Sequence, residues 1–251
     1  MKSGTESNNN SIEEDFEAWC AYPNHRWLFN KLELALKLDY KAGPTGVPVT
    51  KPGWYIVRPI YNLYGMGIGA KKVYLDPKRD AEDMINLAHV PPGYFWCEYF
   101  EGAHYSIDYV CEYGLYTPFS FAVGTHRDTD DLVQFDNWQV IDKPDDVRLP
   151  IQVRHLEEPR PKIINAEFKG NKLFEVHLRS GNDHMWNLPI GTTVYPVWKG
   201  ETESAEMQEL DFVGNMHANS FTYAAHGHLE HIRLGYRLQY PQKETQWKNN
   251  T

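Results

Sequence analysis

The sequence predicts an α+β fold of mostly antiparallel strands with few helices. Short β-branched and aromatic runs recur from residue 54 onward, and tight Gly-, Asn- or Pro-containing links separate several of them. Only one segment of clear helical period stands out, before residue 40. That segment runs from Trp27 to Leu38, where Leu28, Leu32, Leu34, Ala35, Leu36 and Leu38 give an amphipathic helix of about three turns. KAGPTGVPVTKPG follows and cannot continue a helix. WYIVRPI (54–60) reads as a strand ending at its Pro, YNLYGMGIGA as a glycine-rich loop, and KKVYLD as a second strand. Residues 78–88 are weakly helical. YFWCEYF (94–100) and HYSIDYVCEYG (104–114) are strands joined by the tight link Glu101-Gly102-Ala103. FSFAVGTH (119–126) and FDNWQVI (135–141) extend the β-rich middle, and IINAEF with NKLFEVHL forms a hairpin closed by Lys169-Gly170-Asn171. The last sixty residues mix short strands and turns and end in LEHIRLGYRLQYP; no internal repeat is present.

Composition narrows the function classes. A chain of 251 residues allows one large domain or two small ones, and 41% hydrophobic with 24% charged residues is a globular balance. With 34 acidic against 25 basic residues the net charge is -9, which argues against a nucleic-acid backbone as partner but leaves room for a local basic pocket. Cys20, Cys97 and Cys111 are too few and too scattered for a disulfide framework or a zinc signature. Residues 1–14, rich in Ser, Asn and Glu, read as a disordered tail rather than a secretory leader, ahead of a single unit over 15–251. No apolar run approaches membrane-spanning length, so no membrane partner and a reducing, cytoplasmic compartment are expected.

Gly65, Gly67 and Gly69 follow a strand carrying Arg58. A dinucleotide fingerprint must open a helix, whereas KKVYL follows here, and the Gly-Lys-Ser/Thr ending of a P-loop is lacking. Two readings remain: a ligand-free glycine hairpin, or a loop whose bare amides close over phosphates.

Three stretches, in order, favour the second. YIVRPIYNLYGMGIGA resembles the ATP-grasp segment in which a strand ends in a basic residue plus Pro and runs into a glycine-rich lid, closest to the carbamoyl phosphate synthetase version. VPPGYFWCEYFEGAHYSIDYV is similar to that superfamily's hinge, with Glu98, Phe100, Gly102, Tyr105, Ser106 and Asp108 in matching order. INAEFKGNKLFEVHLRSGNDH resembles its metal-binding hairpin. The resemblance implies that Arg58, assisted by Lys71 or Lys72, holds the nucleotide phosphates under the Gly65, Gly67 and Gly69 loop. It places adenine against Glu98, Tyr99 and Phe100 and ribose at His104. Glu167, Glu175 and His177 become ligands of Mg²⁺ or Mn²⁺, and Arg179, with Arg58, the group that stabilises the transferred phosphoryl. Two residues depart from the pattern. His104 replaces a Glu and cannot accept from two hydroxyls as a carboxylate does. His177 replaces an Asn, and imidazole suits Mn²⁺, Fe or Zn better than Mg²⁺.

Other constellations are weaker. His226, His228 and His231 lack a metal spacing and read as ordinary hydrogen-bonded histidines. Thr125-His126-Arg127-Asp128 ends a strand and lines the acceptor side of the cleft or forms a surface turn, with Arg127 and Arg154 as candidates for holding a carboxylate. Cys97, inside the hinge strand, is expected to be packed.

The implied architecture is two subdomains with antiparallel sheets clamping ATP: a glycine-loop and hinge part at about 54–110, a metal-binding part at about 111–185, and a C-terminal extension at 186–251. The Rossmann-like domain that usually precedes the clamp in the resembled superfamily is not expected here, so the acceptor site is expected from residues 186–251, a second subunit or a partner protein. The implied reaction is ADP-forming ligation of a carboxylate to an amine or thiol through an acylphosphate. A regulatory, non-catalytic ATP binder and a small-molecule kinase are the alternatives, and the acceptor itself is not legible.

Overall fold

The computed structural model describes residues 14–61, 69–78, 90–127, 132, 134–181, 185, 187–214 and 233–242. The chain opens with helix α1 (Asp15–Ala21), where the Glu14 amide donates to the Glu17 carboxylate at 3.3 Å. A 3₁₀ segment (Pro23–Leu28) and helix α2 (Lys31–Lys37) follow. The single helix expected over 27–38 is thus divided. The Asn30 side chain accepts from the Glu33 amide at 2.9 Å and caps a new helix at Lys31, the same contest between side chain and backbone that makes Asn a helix starter. The tail predicted over 1–14 lies outside the described residues except for Glu14.

Strands β1 (Ala42–Pro44), β2 (Gly53–Pro59), β3 (Lys71–Leu75) and β4 (Tyr94–Glu98) form an antiparallel sheet in the order β1-β4-β2-β3. Alternation along β2 sorts its two faces. Tyr55 and Val57 pack with Val49, Leu75, Val90 and Trp96 on one side, while Ile56 and Arg58 turn to the other. On that second side Phe95 and Cys97 of β4 meet Ala35 of α2.

The remaining strands make one larger antiparallel sheet: β5 (His104–Glu112), β6 (Leu115–His126), β7 (Phe135–Val140), β8 (Ile163–Lys169), β9 (Lys172–His177), β10 (Thr193–Trp198), β11 (Asp211–Gly214) and β12 (Arg233–Gln239). Its order among the described residues is β11-β12-β10-β7-β6-β5-β8-β9. Short helices α3 (Ile151–Arg154) and α4 (Ala205–Gln208) lie in its connections. Ile107, Tyr109, Ile164, Ala166 and Phe168 point into a core shared with Ala18, Leu28, Leu34 and Val153. The residues between them on β5 and β8, Ser106, Asp108, Asn165 and Glu167, face the opposite side. Among the described residues no helix is long and apolar enough to cross a membrane.

Two expected divisions move. The change of sheet falls in the link 99–103 rather than near 110, because β5 pairs along its length with both β6 and β8 and so belongs wholly to the larger sheet. The described residues of the C-terminal extension expected at 186–251 belong to the larger sheet: β10 pairs with β7, and β12 and β11 extend it. The weak helix expected at 78–88 lies almost wholly outside the described residues.

The link crosses the β8–β9 turn at close range. Gly102 has φ +111, and a Cβ there would lie 2.8 Å from the Gly170 Cα. Both the backbone conformation and the contact demand glycine. Gly102→Ala is therefore expected to cost about 1–3 kcal/mol, read as a lower urea midpoint at unchanged m-value.

Candidate active site between the two sheets

A cavity of about 410 Å³ lies where the inner faces of the two sheets meet. The smaller sheet and the link contribute Ile56, Arg58, Pro59, Cys97, Glu98, Tyr99 and Phe100; the larger sheet contributes residues of β5 to β10, with Arg233 of β12. Among the described residues its charged lining comprises five basic side chains (Lys31, Arg58, Lys169, Arg179, Arg233) and three acidic ones (Glu98, Glu167, Glu175), a balance of +2 inside a chain of net charge -9. A positive concavity in an acidic protein draws small anions.

At one end β2 and α2 converge on β9. The Lys31 amide donates to the Ile60 carbonyl at 2.9 Å, tying the first turn of α2 to the residue after β2. The Lys31 ammonium then lies 2.7 Å from Glu175, and the Arg58 guanidinium 3.7 Å from the same carboxylate. Arg58 also donates from Nη2 to the Phe174 carbonyl at 2.8 Å and sits between the Phe95 and Phe174 rings, 5.4 Å from each centroid. Its Nε is buried with no hydrogen-bond partner among the described residues. Burial alone would raise the Glu175 carboxyl; Lys31, His177 and Arg58 outweigh it and hold the group ionised, below the ordinary range.

Alternation places Glu175, His177 and Arg179 on one face of β9 and its continuation, as expected, with Val176 and Leu178 in the core on the other. What they meet was not expected. Asp15 of α1, only 1% exposed, accepts from His177 Nδ1 at 2.9 Å and from Arg179 Nη2 at 3.0 Å, and Arg179 Nε lies 2.9 Å from its other oxygen. Arg179 Nη1 donates to the Ser180 carbonyl at 2.8 Å. Arg179 lines the cavity, but its fork is committed to Asp15 instead of standing ready for a transferred phosphoryl group. Burial would raise the Asp15 carboxyl, yet Arg179 and His177 hold it well below the carboxylate range. For His177, burial disfavours the imidazolium, but the Asp15 carboxylate overcomes that and raises its affinity for a proton.

The expected metal ligands can be tested on these contacts. Glu167 and Glu175 are register partners on β8 and β9, and His177 Nε2 lies 3.9 Å from Glu167 and 3.5 Å from Glu175. The donors are close, but their chemistry does not suit a cation. Glu175 already carries Lys31 and Arg58, one Glu167 oxygen accepts from His104, and a His177 disposed to hold two protons has no lone pair to offer. Among the described residues no three His, Cys, Asp or Glu side chains converge as a metal site. The set Glu167, Glu175 and His177 therefore does not fit a divalent metal in this arrangement.

At the hinge, the Glu98 amide is bonded to the Lys41 carbonyl at 2.9 Å, and the Glu98 carboxylate accepts from the Lys41 amide at 3.0 Å. Tyr99 donates its amide to the Trp54 carbonyl at 3.3 Å. The Phe100 ring lies edge-on against Tyr40, with centroids 4.7 Å apart. Of the three hinge residues, Phe100 alone keeps an amide without a backbone partner among the described residues.

His104, expected at a ribose, is buried with both ring nitrogens engaged. Nε2 faces Glu167 at 3.1 Å and carries a hydrogen, since the carboxylate can only accept; Nδ1 meets His126 Nε2 at 2.9 Å. Phe135, Trp138 and Phe174 surround the ring, with centroids 4.9–5.4 Å away. Burial, then His104 and Lys169, push His126 down to about 3, so it is a neutral imidazole whose Nδ1 is buried without a hydrogen-bond partner among the described residues. Ser106 and Asp108, which carried the hinge resemblance, brace the strands: Asn165 Nδ2 donates to both, at 2.9 and 3.0 Å, and Asp108 also accepts from the Gly181 amide at 2.8 Å.

Other expected residues lie elsewhere. Lys71 and Lys72 on β3 are exposed and do not line the cavity; the Lys72 ammonium sits over the Tyr99 ring, 4.1 Å from its centroid. Gly69 has φ +88 beside the Tyr94 hydroxyl, and its neighbour Ala70 reaches the cavity. Gly65, Gly67, His226, His228 and His231 lie outside the described residues. Arg127 grips Glu201 with two contacts, of 2.5 and 2.9 Å, away from the lining. Arg154 does not line the cavity. Cys97 is packed, and burial pushes its thiol up to about 12, which removes it as a nucleophile. Sequence reasoning missed Asp15, Lys31, Trp138 and Phe174; His126, from the run offered either as the acceptor side of the cleft or as a surface turn, lines the cavity. Nothing in the local sequence distinguishes Lys31 and Asp15 from solvated charges.

The Asp15 contacts set a pH signature. A lowered Asp15 contributes stability above about pH 4 that is lost in acid; a raised His177 contributes stability below about pH 6.5 that is lost as pH climbs through its folded value. Asp15→Asn is expected to cost about 3–5 kcal/mol at pH 6, with a smaller gap from wild type at pH 9, measured by urea denaturation at both values.

No protein-family model matches the chain, and no curated protein sequence is significantly similar to it. Solved structures are similar in fold at low identity. The N5-carboxyaminoimidazole synthetase of Staphylococcus aureus, complexed with ADP, aligns with TM-score 0.54 at 13% identity over 88% of this chain and 70% of its own. The N5-carboxyaminoimidazole synthase of Aspergillus clavatus, with ADP and 5-aminoimidazole ribonucleotide, gives 0.54 at 9% identity over 92% and 76%. The N5-carboxyaminoimidazole ribonucleotide synthetase of Thermus thermophilus gives 0.52 at 10% identity over 90% and 74%. These likenesses are ones of fold: the two antiparallel sheets of this chain match an ATP-grasp fold.

Proposed function

We propose that the chain binds ATP in the cavity between its sheets and is an ATP-dependent, ADP-forming ligase. The observation that carries this reading is the +2 lining, with the buried, half-satisfied Arg58 at one end and the aromatic-backed Tyr99–Phe100 link at the other. Phosphates suit the first end, where a planar, permanently charged donor has an N–H to spare. An adenine ring suits the second, where an apolar side chain and a free amide stand together. The nucleotides in the Staphylococcus aureus and Aspergillus clavatus structures support the same assignment.

In the proposed reaction a carboxylate oxygen attacks the γ-phosphorus, the bond to the bridging oxygen breaks and ADP leaves. An amine or thiol then attacks the acyl carbon of the acylphosphate and inorganic phosphate leaves. Arg58 and Lys31 offset the charge on the phosphate oxygens, and the walls of the cavity exclude water from the acylphosphate. His126, a neutral imidazole in the cavity lining, is the ring that would hydrogen-bond the incoming nucleophile.

One observation favours a second reading, a nucleotide-binding protein that does not ligate: the Arg179 fork is closed on Asp15. ADP and phosphate release in the presence of ATP with pooled carboxylates and amines, at Mg²⁺, at Mn²⁺ and without metal, separates the two. Ligation predicts ADP and phosphate together, dependent on a carboxylate. ATP binding without ADP formation under any condition would leave only the second reading, and a phosphorylated product with no free phosphate would mean a kinase. Arg58→Ala is expected to weaken ATP binding by about tenfold or more, measured by calorimetry.

A further inference from the structure

The larger sheet presents Glu175 to the nucleotide cavity, and two basic side chains already hold that carboxylate. Lys31 is the closer, at 2.7 Å, and is only 5% exposed. A buried lysine is costly unless paired, and its position here is fixed from both ends. Its amide is bonded to Ile60 at the end of β2, and its helix is capped by Asn30, so the ammonium is delivered by backbone geometry rather than by a swinging side chain. Arg58 comes to the same carboxylate from β2 itself. Counting the carboxylates Asp15, Glu167 and Glu175 against Lys31, Arg58 and Arg179 gives three of each sign before His177 is counted, so side-chain cations already match the carboxylates. A divalent metal placed on Glu175 would displace Lys31 and leave a buried ammonium unpaired.

We infer that Lys31, clamped on Glu175, is a built-in cation at the phosphate end of the cavity, so that nucleotide binding does not need a divalent metal bridging Glu175 and the phosphates. This rests on the nucleotide-site reading given above. The ammonium lines the cavity with hydrogens beyond the one directed at Glu175, and it stands beside the free Nε of Arg58. Together they place two positive charges at the end of the cavity where a phosphate chain would lie.

The test is calorimetric titration of the purified full chain with ADP and ATP, in excess EDTA and again in excess Mg²⁺. The wild-type dissociation constant is expected to differ by about fivefold or less between the two buffers. Lys31→Met should weaken binding in EDTA by about tenfold or more, while Lys31→Arg, which keeps the charge, should retain most of it. Thermal melts of both variants report whether they fold, and the wild-type comparison decides the point even if Lys31→Met does not. Wild-type binding that appears only with metal would overturn the Lys31 assignment and leave the nucleotide site standing. Absence of binding in both buffers would overturn the nucleotide site itself, and the inference with it.

Discussion

Glu175 on β9 meets Lys31 of α2 and Arg58 of β2, so one buried carboxylate joins the N-terminal helices and both sheets at a single point. Asp15 does the same a short distance away, holding His177 and Arg179 of the β9 face against α1. Desolvating these groups cancels much of their attraction, so the network adds little net stability while making alternative packings expensive. Its main effect is positional. It sets how α1 and α2 seat on the larger sheet, and through Arg58 it sets where the smaller sheet sits across the cavity.

The cavity inherits its character from that constraint. The charged side chains gather where helices and both sheets converge, and the aromatic rings around His104 and His126 make up a drier wall on β5, β6 and β7. One wall holds fixed ionic charge and the other a pair of imidazole rings, of which His126 is kept uncharged by its burial. A site divided in this way can hold an anionic chain at one end and keep water from a reactive centre at the other.

Much of this was legible in the sequence, and the reason is periodicity. β2, β4, β5, β8 and β9 lie within a few residues of their expected positions because β-branched and aromatic alternation is local information. Arg58, Glu167, Glu175, His177 and Arg179, singled out by the resemblance of three ordered stretches, all line the cavity. The division of the helix at Asn30 was missed because a capping side chain competes with an otherwise continuous leucine pattern. The sheet boundary was missed because a strand's run of residues does not say which neighbours it will pair with.

The sequence by itself determined which side chains share a face, where the chain must turn, and, through three ordered stretches, the fold. Tertiary structure alone decided what those side chains touch. Asp15 reaches His177 across 162 residues of chain, and Lys31 takes a carboxylate that the hairpin by itself would have offered to a metal. Backbone periodicity is fixed by bonds between neighbours, whereas a charge finds its partner through space. The identity of the cation on Glu175 therefore follows from how helices and sheets pack rather than from the order of residues.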